Sequence, residues 1–364
     1  MEKNCAQAVA VWRWWNYLLS QVPLGKIPLR INIDETSLCL FQGRGKGAVF
    51  VRKAIQKVSL SLRRKYLSHV GVICDQPHLQ RLLPQFIIGN EYTFLARAMG
   101  RLNAARPGYV RLLRRKSAWV DKWLFAWIIR EIVAALAPHL GGYQIFFVFD
   151  ACRAHLGSCV FATFGSLGAW PVIVPPQETG LLQMLDTHAY RAYKGAVQGA
   201  YQDARGDGPL NMGRFLECVY IAIEDTIQNR SWRTAFNDNG FGTDQASLCD
   251  TVWRRLQLDA ADAPSAISSE RPRPEDVQLC FPRNAIVPAP LFTWMAARPA
   301  APPAICEGPA SSSACRGEAV LLAPPERRVT RSMTRSIASA ASSAEHPPCV
   351  VAHRLLPRRY IPPS

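Results

Sequence analysis

GGYQIFFVFDACRAHLG (residues 141–157) and PVIVPPQETGLLQMLDTHAYRAYK (residues 171–194) decide the fold. The first opens with an apolar, aromatic and β-branched run, Tyr143 to Phe149, and stops on an acid, Asp150. The second begins with Pro171 to Val174, breaks at Pro175-Pro176 and runs on to Asp186. Short apolar runs bounded by turn signals read as strands buried on both faces. An acid at the carboxyl end of such a strand stands where open α/β sheets place their ligands. Asp34, far upstream, ends a strand-like run of its own that begins at Ile27. Three carboxylates brought to one sheet edge form a site for a hard cation, which prefers oxygen ligands.

Working outward, the chain of 364 residues holds one large domain with tails, or two of average size. Its formal net charge of +16 favours a polyanionic partner. The 11 cysteines are odd in number and scattered singly, which fits reduced thiols of a cytosolic or nuclear protein rather than a disulfide framework. No uncharged apolar run reaches the ~20 residues of a membrane span. The longest, Ala118 to Leu140, is interrupted by Asp121, Lys122, Arg130 and Glu131. The expectation is a soluble protein without a membrane partner.

Composition divides the chain into an N-terminal helix (1–24), a core (25–258) and a tail (259–364). Residues 5–20 read as an amphipathic helix. After Asp34, a tight bend at Glu35-Thr36 is expected to lead into a return strand through Leu38, Leu40 and Phe41. GRGKGAVFVRK, with Lys46, is basic and glycine-rich but lacks the GKS or GKT of a phosphate loop. VSLSL (58–62), Val70–Cys74 and Gln85–Ile88 read as strands of an antiparallel meander, and Arg97–Lys116 as a basic loop. Ser117 then caps a long helix whose Trp119, Trp123 and Trp127 fall at helical spacing, a stripe expected to pack on the sheet. Residues 155–167 read as a short helix, and Thr179 as the cap of a helix over Leu181–Ala204. Two more helices are expected over Asn211–Asn229 and Asp244–Leu258. Beyond residue 260 lie 17 of the 27 prolines, Ser/Ala runs and arginine without lysine, the composition of a disordered segment. Within it, RRVTRSMTR reads as a nuclear-import patch, a nucleic-acid patch or a solvated linker.

Strands first, an acid on the first strand, a second acid at the end of a parallel strand and a third on a following helix make an RNase H-like α/β arrangement: a mixed sheet flanked by helices. IDET around Asp34, SAWV before a tryptophan-bearing helix, FVFDACRAH around Asp150 and PPQETGLLQMLDTHAYRAYK around Asp186 resemble the DDE superfamily endonucleases, the mariner/pogo-type transposases. The resemblance spans roughly residues 25–245, with 35 residues between Asp150 and Asp186. It implies a D-D-D triad of Asp34, Asp150 and Asp186 holding two Mg²⁺ (or Mn²⁺) ions for in-line displacement at phosphorus. It also implies DNA as the partner and a nuclear location, and it allows a homodimer. His155 is then adjacent to the site. Lys194, roughly 12 Å beyond Asp186 at 1.5 Å per residue, lies with Arg153 and Lys46 along the nucleic-acid path.

Ala151, Gln177 and Met184 stand where the family usually has asparagine, asparagine and proline, and no helix-turn-helix region precedes residue 25. These departures keep a second class open: a domesticated nucleic-acid-binding protein that retains the fold without cutting. A nuclease directed at RNA is a third reading. Glu35, beside Asp34 on a strand, points to the opposite face as a structural group or spare ligand. Glu178 is a weaker candidate than Asp186 for third ligand. Cys152-x₂-His155-x₃-Cys159, with Cys74 or His78 as a fourth ligand, is a minor zinc reading against buried thiols.

Overall fold

The computed structural model describes residues 2–39, 66–205, 211–257 and 266–282. Lys46 and the VSLSL segment lie outside them. The core is one mixed sheet of six strands: β1 (Ile27–Cys39), β2 (Tyr66–Cys74), β3 (Gln85–Asn90), β4 (Val110–Arg115), β5 (Tyr143–Asp150) and β6 (Trp170–Val174), in the order β4-β3-β2-β1-β5-β6. β1, β2 and β3 pair antiparallel, and β5 and β6 continue parallel on the other side of β1. This is the helix-flanked, RNase H-like α/β sheet expected from the sequence. β5 is buried along six consecutive residues, as its unbroken apolar run requires. Phe147 and Phe149 pack on Phe164, and Phe125 on Phe149.

Several local expectations are corrected. β1 does not bend at Glu35-Thr36, because β2 pairs with it continuously from Ile31 to Cys39 and carries the extended backbone past the polar trio. The segment read as a basic loop contains a helix, Ala96–Ala105, and β4, which lies parallel to β3. The arginines of VRLLRR obscured a short alternation in which Val110 and Leu112 point inward.

The long helix begins at Lys122 rather than Ser117, because the Asp121 carboxylate accepts from the Trp123 and Leu124 amides and caps it. Trp119 is therefore outside the helix and 70% exposed, and Trp123 is 65% exposed on its first turn. Of the tryptophan stripe only Trp127 meets the sheet, edge-on to Phe86. Lys122–Gly142 is long and apolar enough by composition to cross a membrane, and its inward face, including Phe125, Ile128, Ile129 and Ile132, is buried in the core.

The helix expected over Leu181–Ala204 is broken into a short turn, Thr179–Leu182, a wider π-helical turn, Leu185–Ala189, and the helix Tyr190–Arg205. The helix after Asn211 runs over Met212–Ile223 and widens into a π turn, Glu224–Gln228. SWRTAFNDNGFG (231–242), between the two helices expected there, contains a further helix, Arg233–Asp238, and Gln245–Leu256 follows it.

Neither end of the described chain stands apart from the sheet. The helix Glu2–Ser20 buries Trp12 and Trp15 completely, and its indole N–H groups find carbonyl oxygens at Asn239 (3.0 Å), Pro171 (3.2 Å) and Gly242 (2.8 Å). Gly240, at φ 84°, lies against the Trp12 indole, where any side chain would collide. Residues 266–282, assigned by composition to a disordered tail, bury Ile267, Val277, Cys280 and Phe281. Asn16 donates to the Ile267 carbonyl at 2.6 Å. Apolar side chains at helical spacing within a proline-rich stretch are enough to recruit it to the core. Residues 283–364 lie outside those described.

Candidate active site

β1 positions the site. Its register with β5, Asn32 beside Val148, brings Asp34 level with Asp150, where β5 and its parallel pairing with β1 end while β1 itself runs on to Cys39. Asp34 is 9% exposed. Asp150 ends β5, and the pairing continues one residue further through the Ala151 amide to the Val174 carbonyl, at 2.9 Å, which fixes the direction in which the chain leaves.

Asp186 comes from the π-helical turn, and two buried amides on β1's side dock that turn. The Asn32 carboxamide donates to the Val148 carbonyl and accepts from the Leu185 amide, both at 2.9 Å. Gln183 donates to the Ile33 carbonyl at 3.4 Å. The Leu-Gln-x-Leu-Asp spacing thus has a physical basis: glutamine grips the strand edge and the aspartate follows one turn later. Tyr190 on the next helix donates its hydroxyl to the Asp34 carbonyl. Gly71, opposite Asp34 on β2, makes this possible, since a Cβ there would meet the Tyr190 hydroxyl at 2.9 Å.

The structure brings the three predicted acids together. Burial, then repulsion from Asp186 and Asp150, pushes the Asp34 carboxyl well above its usual range, against the Glu35 amide and His155, which lower it. Asp186 keeps an exposed edge. Partial burial raises its carboxyl, Lys194 lowers it, Asp150 raises it, and a hydrogen bond with Asp34 lowers it. Lys194 acts on this carboxyl although it lies two turns on, because helical side chains lean back toward the N-terminus. It is exposed, and its ammonium sits 5.8 Å from the Tyr190 ring centre.

His155 is 3% exposed in its side chain and lies between two carboxylates. Its Nδ1 is 2.6 Å from Asp150 Oδ1 and 3.1 Å from the Asp150 carbonyl, and its Nε2 is 3.3 Å from Glu35 Oε1. Its ring stacks on Phe125 at 3.8 Å. Burial works to lower its pKa, but hydrogen bonds with Asp150, Cys152 and Glu35 hold it well above the usual histidine range. Glu35, on the face away from Asp34, is linked to the site through this imidazole. Arg153 is exposed in the turn between Asp150 and His155.

Glu178 stays apart: its carboxyl is buried and raised by burial alone, with no contribution from the three aspartates. The zinc set read from sequence does not assemble either. The Cys159 thiol points to the Lys122 carbonyl at 3.7 Å and that of Cys74 to the Gln76 carbonyl at 3.3 Å. Asp150, Cys152 and His155 instead bring their ligand atoms within 4.8 Å of one another. Asn32, Gly71 and Tyr190 were not singled out from sequence. A buried-face asparagine in phase with Asp34 on β1 was the one available signal. No protein-family model, curated protein or solved structure matches the chain, so its sheet and its clustered acids are what any functional reading has to stand on.

Proposed function

We propose that the protein is a metal-dependent DNA endonuclease or polynucleotidyl transferase acting through Asp34, Asp150 and Asp186, as its resemblance to mariner/pogo-type transposases implies. One observation carries this reading: three carboxylates from β1, the end of β5 and the turn after β6 converge at one sheet edge, where burial and mutual repulsion raise Asp34 and Asp186. An oxygen-only trio with excess negative charge suits Mg²⁺ or Mn²⁺, which favour carboxylate and phosphate oxygens. When bound, a pair of such ions activates the attacking oxygen and steadies the leaving one.

The protein's own part is positioning. Asp34 and Asp150 are held by paired strands, and Asp186 by Asn32 and Gln183. His155 braces Asp150 through its backbone carbonyl, at 3.1 Å, with Nδ1 2.6 Å from Oδ1, and Lys194 and Arg153 offer charge to a phosphate backbone. The exposed Trp119 and Trp123, with Lys122 Nζ 5.4 Å from the Trp123 ring centre, suit stacking against unpaired bases.

Plasmid nicking in Mg²⁺ or Mn²⁺ tests this. Wild type nicks DNA and Asp150→Ala does not; equal nicking by both removes the assignment. A second reading, nucleic-acid binding without cleavage, draws on the close hold of His155 on Asp150. Salt-sensitive DNA retention with no cleavage in either metal would select it, and preferential cutting of RNA–DNA hybrids would select an RNA-directed nuclease.

A further inference from the structure

We propose that Asp150, Cys152 and His155 form a second binding site, for a zinc-class cation, that shares Asp150 with the acid cluster. Their oxygen, sulfur and nitrogen ligand atoms lie within 4.8 Å of one another. Thiolate and imidazole are poor ligands for Mg²⁺ and good ones for Zn²⁺ and its neighbours in the transition series. The three residues sit on a stiff frame: Asp150 at the end of a buried strand, then a tight turn closed by the His155 amide on the Cys152 carbonyl at 3.0 Å.

The imidazole is already oriented as a metal ligand. In zinc sites the ring nitrogen that does not bind the metal donates to a carboxylate, which fixes the tautomer. Here Nε2 faces Glu35 Oε1 at 3.3 Å, and Nδ1 faces Asp150. Stacking on Phe125 holds the ring plane. Nδ1 and Asp150 Oδ1 stand 2.6 Å apart at the place where the cation would enter, and Oδ1 is buried without a hydrogen-bond partner of its own. With ligand bonds of about 2.0–2.2 Å, a tetrahedral edge is longer than that contact, and opening it takes less than about 1 Å. Binding then releases the imidazole Nδ1 proton and the Cys152 thiol proton to solvent. Three protein ligands leave a fourth position for water or an anionic oxygen. Cys159 and Cys74 are turned to backbone carbonyls and take no part.

Cobalt(II) titration of the full-length protein tests the site without relying on DNA cleavage. Wild type develops a sulfur-to-cobalt charge-transfer band that saturates at one equivalent and is displaced by Zn²⁺. Cys152→Ser abolishes the band, Cys159→Ser leaves it intact, and Glu35→Gln keeps it with affinity about 10- to 100-fold weaker. No band in folded wild type, or a band that survives Cys152→Ser, overturns the proposal. One consequence rests on the nuclease reading: Zn²⁺ draws Asp150 away from the acid cluster, so it inhibits Mg²⁺-dependent nicking in wild type and at least tenfold less in Cys152→Ser. A nuclease without the band removes only the zinc site; a band without nicking removes only the nuclease.

Discussion

Arg30 and Asp34 lie four residues apart on the same face of β1, in opposite electrostatic surroundings. Arg30 is fully answered. Its guanidinium meets the buried Asp75 carboxylate at 2.9 Å through both Nε and Nη2, donates to Asn237 at 2.9 Å and to the Phe241 carbonyl, and lies 5.5 Å from the Phe236 ring centre. Asp34 is surrounded by its own kind, with Asp186 and Asp150 opposing its charge. A buried ion pair in which each guanidinium nitrogen has a partner ties β1, the end of β2 and the Arg233–Asp238 helix together. A cluster of like charges destabilises the sheet edge it occupies. Charge left unbalanced beside charge carefully balanced, on one strand, marks the part of β1 at which a ligand is expected.

The comparison breaks most sharply if the pair is removed. Asp75→Ala leaves the Arg30 charge buried and is expected to cost about 3–5 kcal/mol in urea unfolding. An unchanged midpoint would mean the pair contributes little. Asp34→Asn should do the reverse: nicking falls at least about a hundredfold, some 2.7 kcal/mol of barrier, while stability stays level or rises. Gly71→Ala places a methyl against the Tyr190 hydroxyl and should cost about 1–3 kcal/mol, read by thermal melting, with nicking reduced as the backbone of Asp34 shifts.

Acidity sharpens the contrast further. The folded pKa values of Asp34 and Asp186 exceed the ordinary 3.8. Above that pH the native state therefore holds more protons than the unfolded one, and stability falls as pH rises until both groups have ionised. His155, also raised, acts with the same sign from 6.5 upward. In chelator, wild type should lose stability with rising pH from about 4, and Asp34→Asn should flatten the lower part of that slope; parallel curves would contradict it. The smallest effect is expected from Lys194→Ala, which should reduce the salt dependence of DNA binding by about one phosphate contact.

The frame of the site was legible because its signals are local. An apolar run ending on Asp150 is a strand end wherever the chain goes next, and Leu-Gln-x-Leu-Asp after a Pro-Pro break announces a turn. What escaped depends on distant partners. Asp75 meets Arg30 across 45 residues, and Asn32 holds Leu185 across 153. Gly71 matters only because Tyr190 crosses it. The tryptophan spacing is helical for Trp123 and Trp127 only and does not mark a buried face, since spacing cannot say where a cap will start the helix. Asp121 does so four residues late, leaving Trp119 and Trp123 in solvent. The tail boundary failed because bulk composition averaged away Ile267, Val277, Cys280 and Phe281.

That last seam has a practical side. Trp14, Asn16 and Ile173 are covered by residues 266–282, so the first and last described segments clasp one another. A shortened protein stopped at Leu258 would lose its latch and bare a greasy strip along its first helix. Clumping of such a fragment during purification would be a result of where it was cut, not of how its chemistry works.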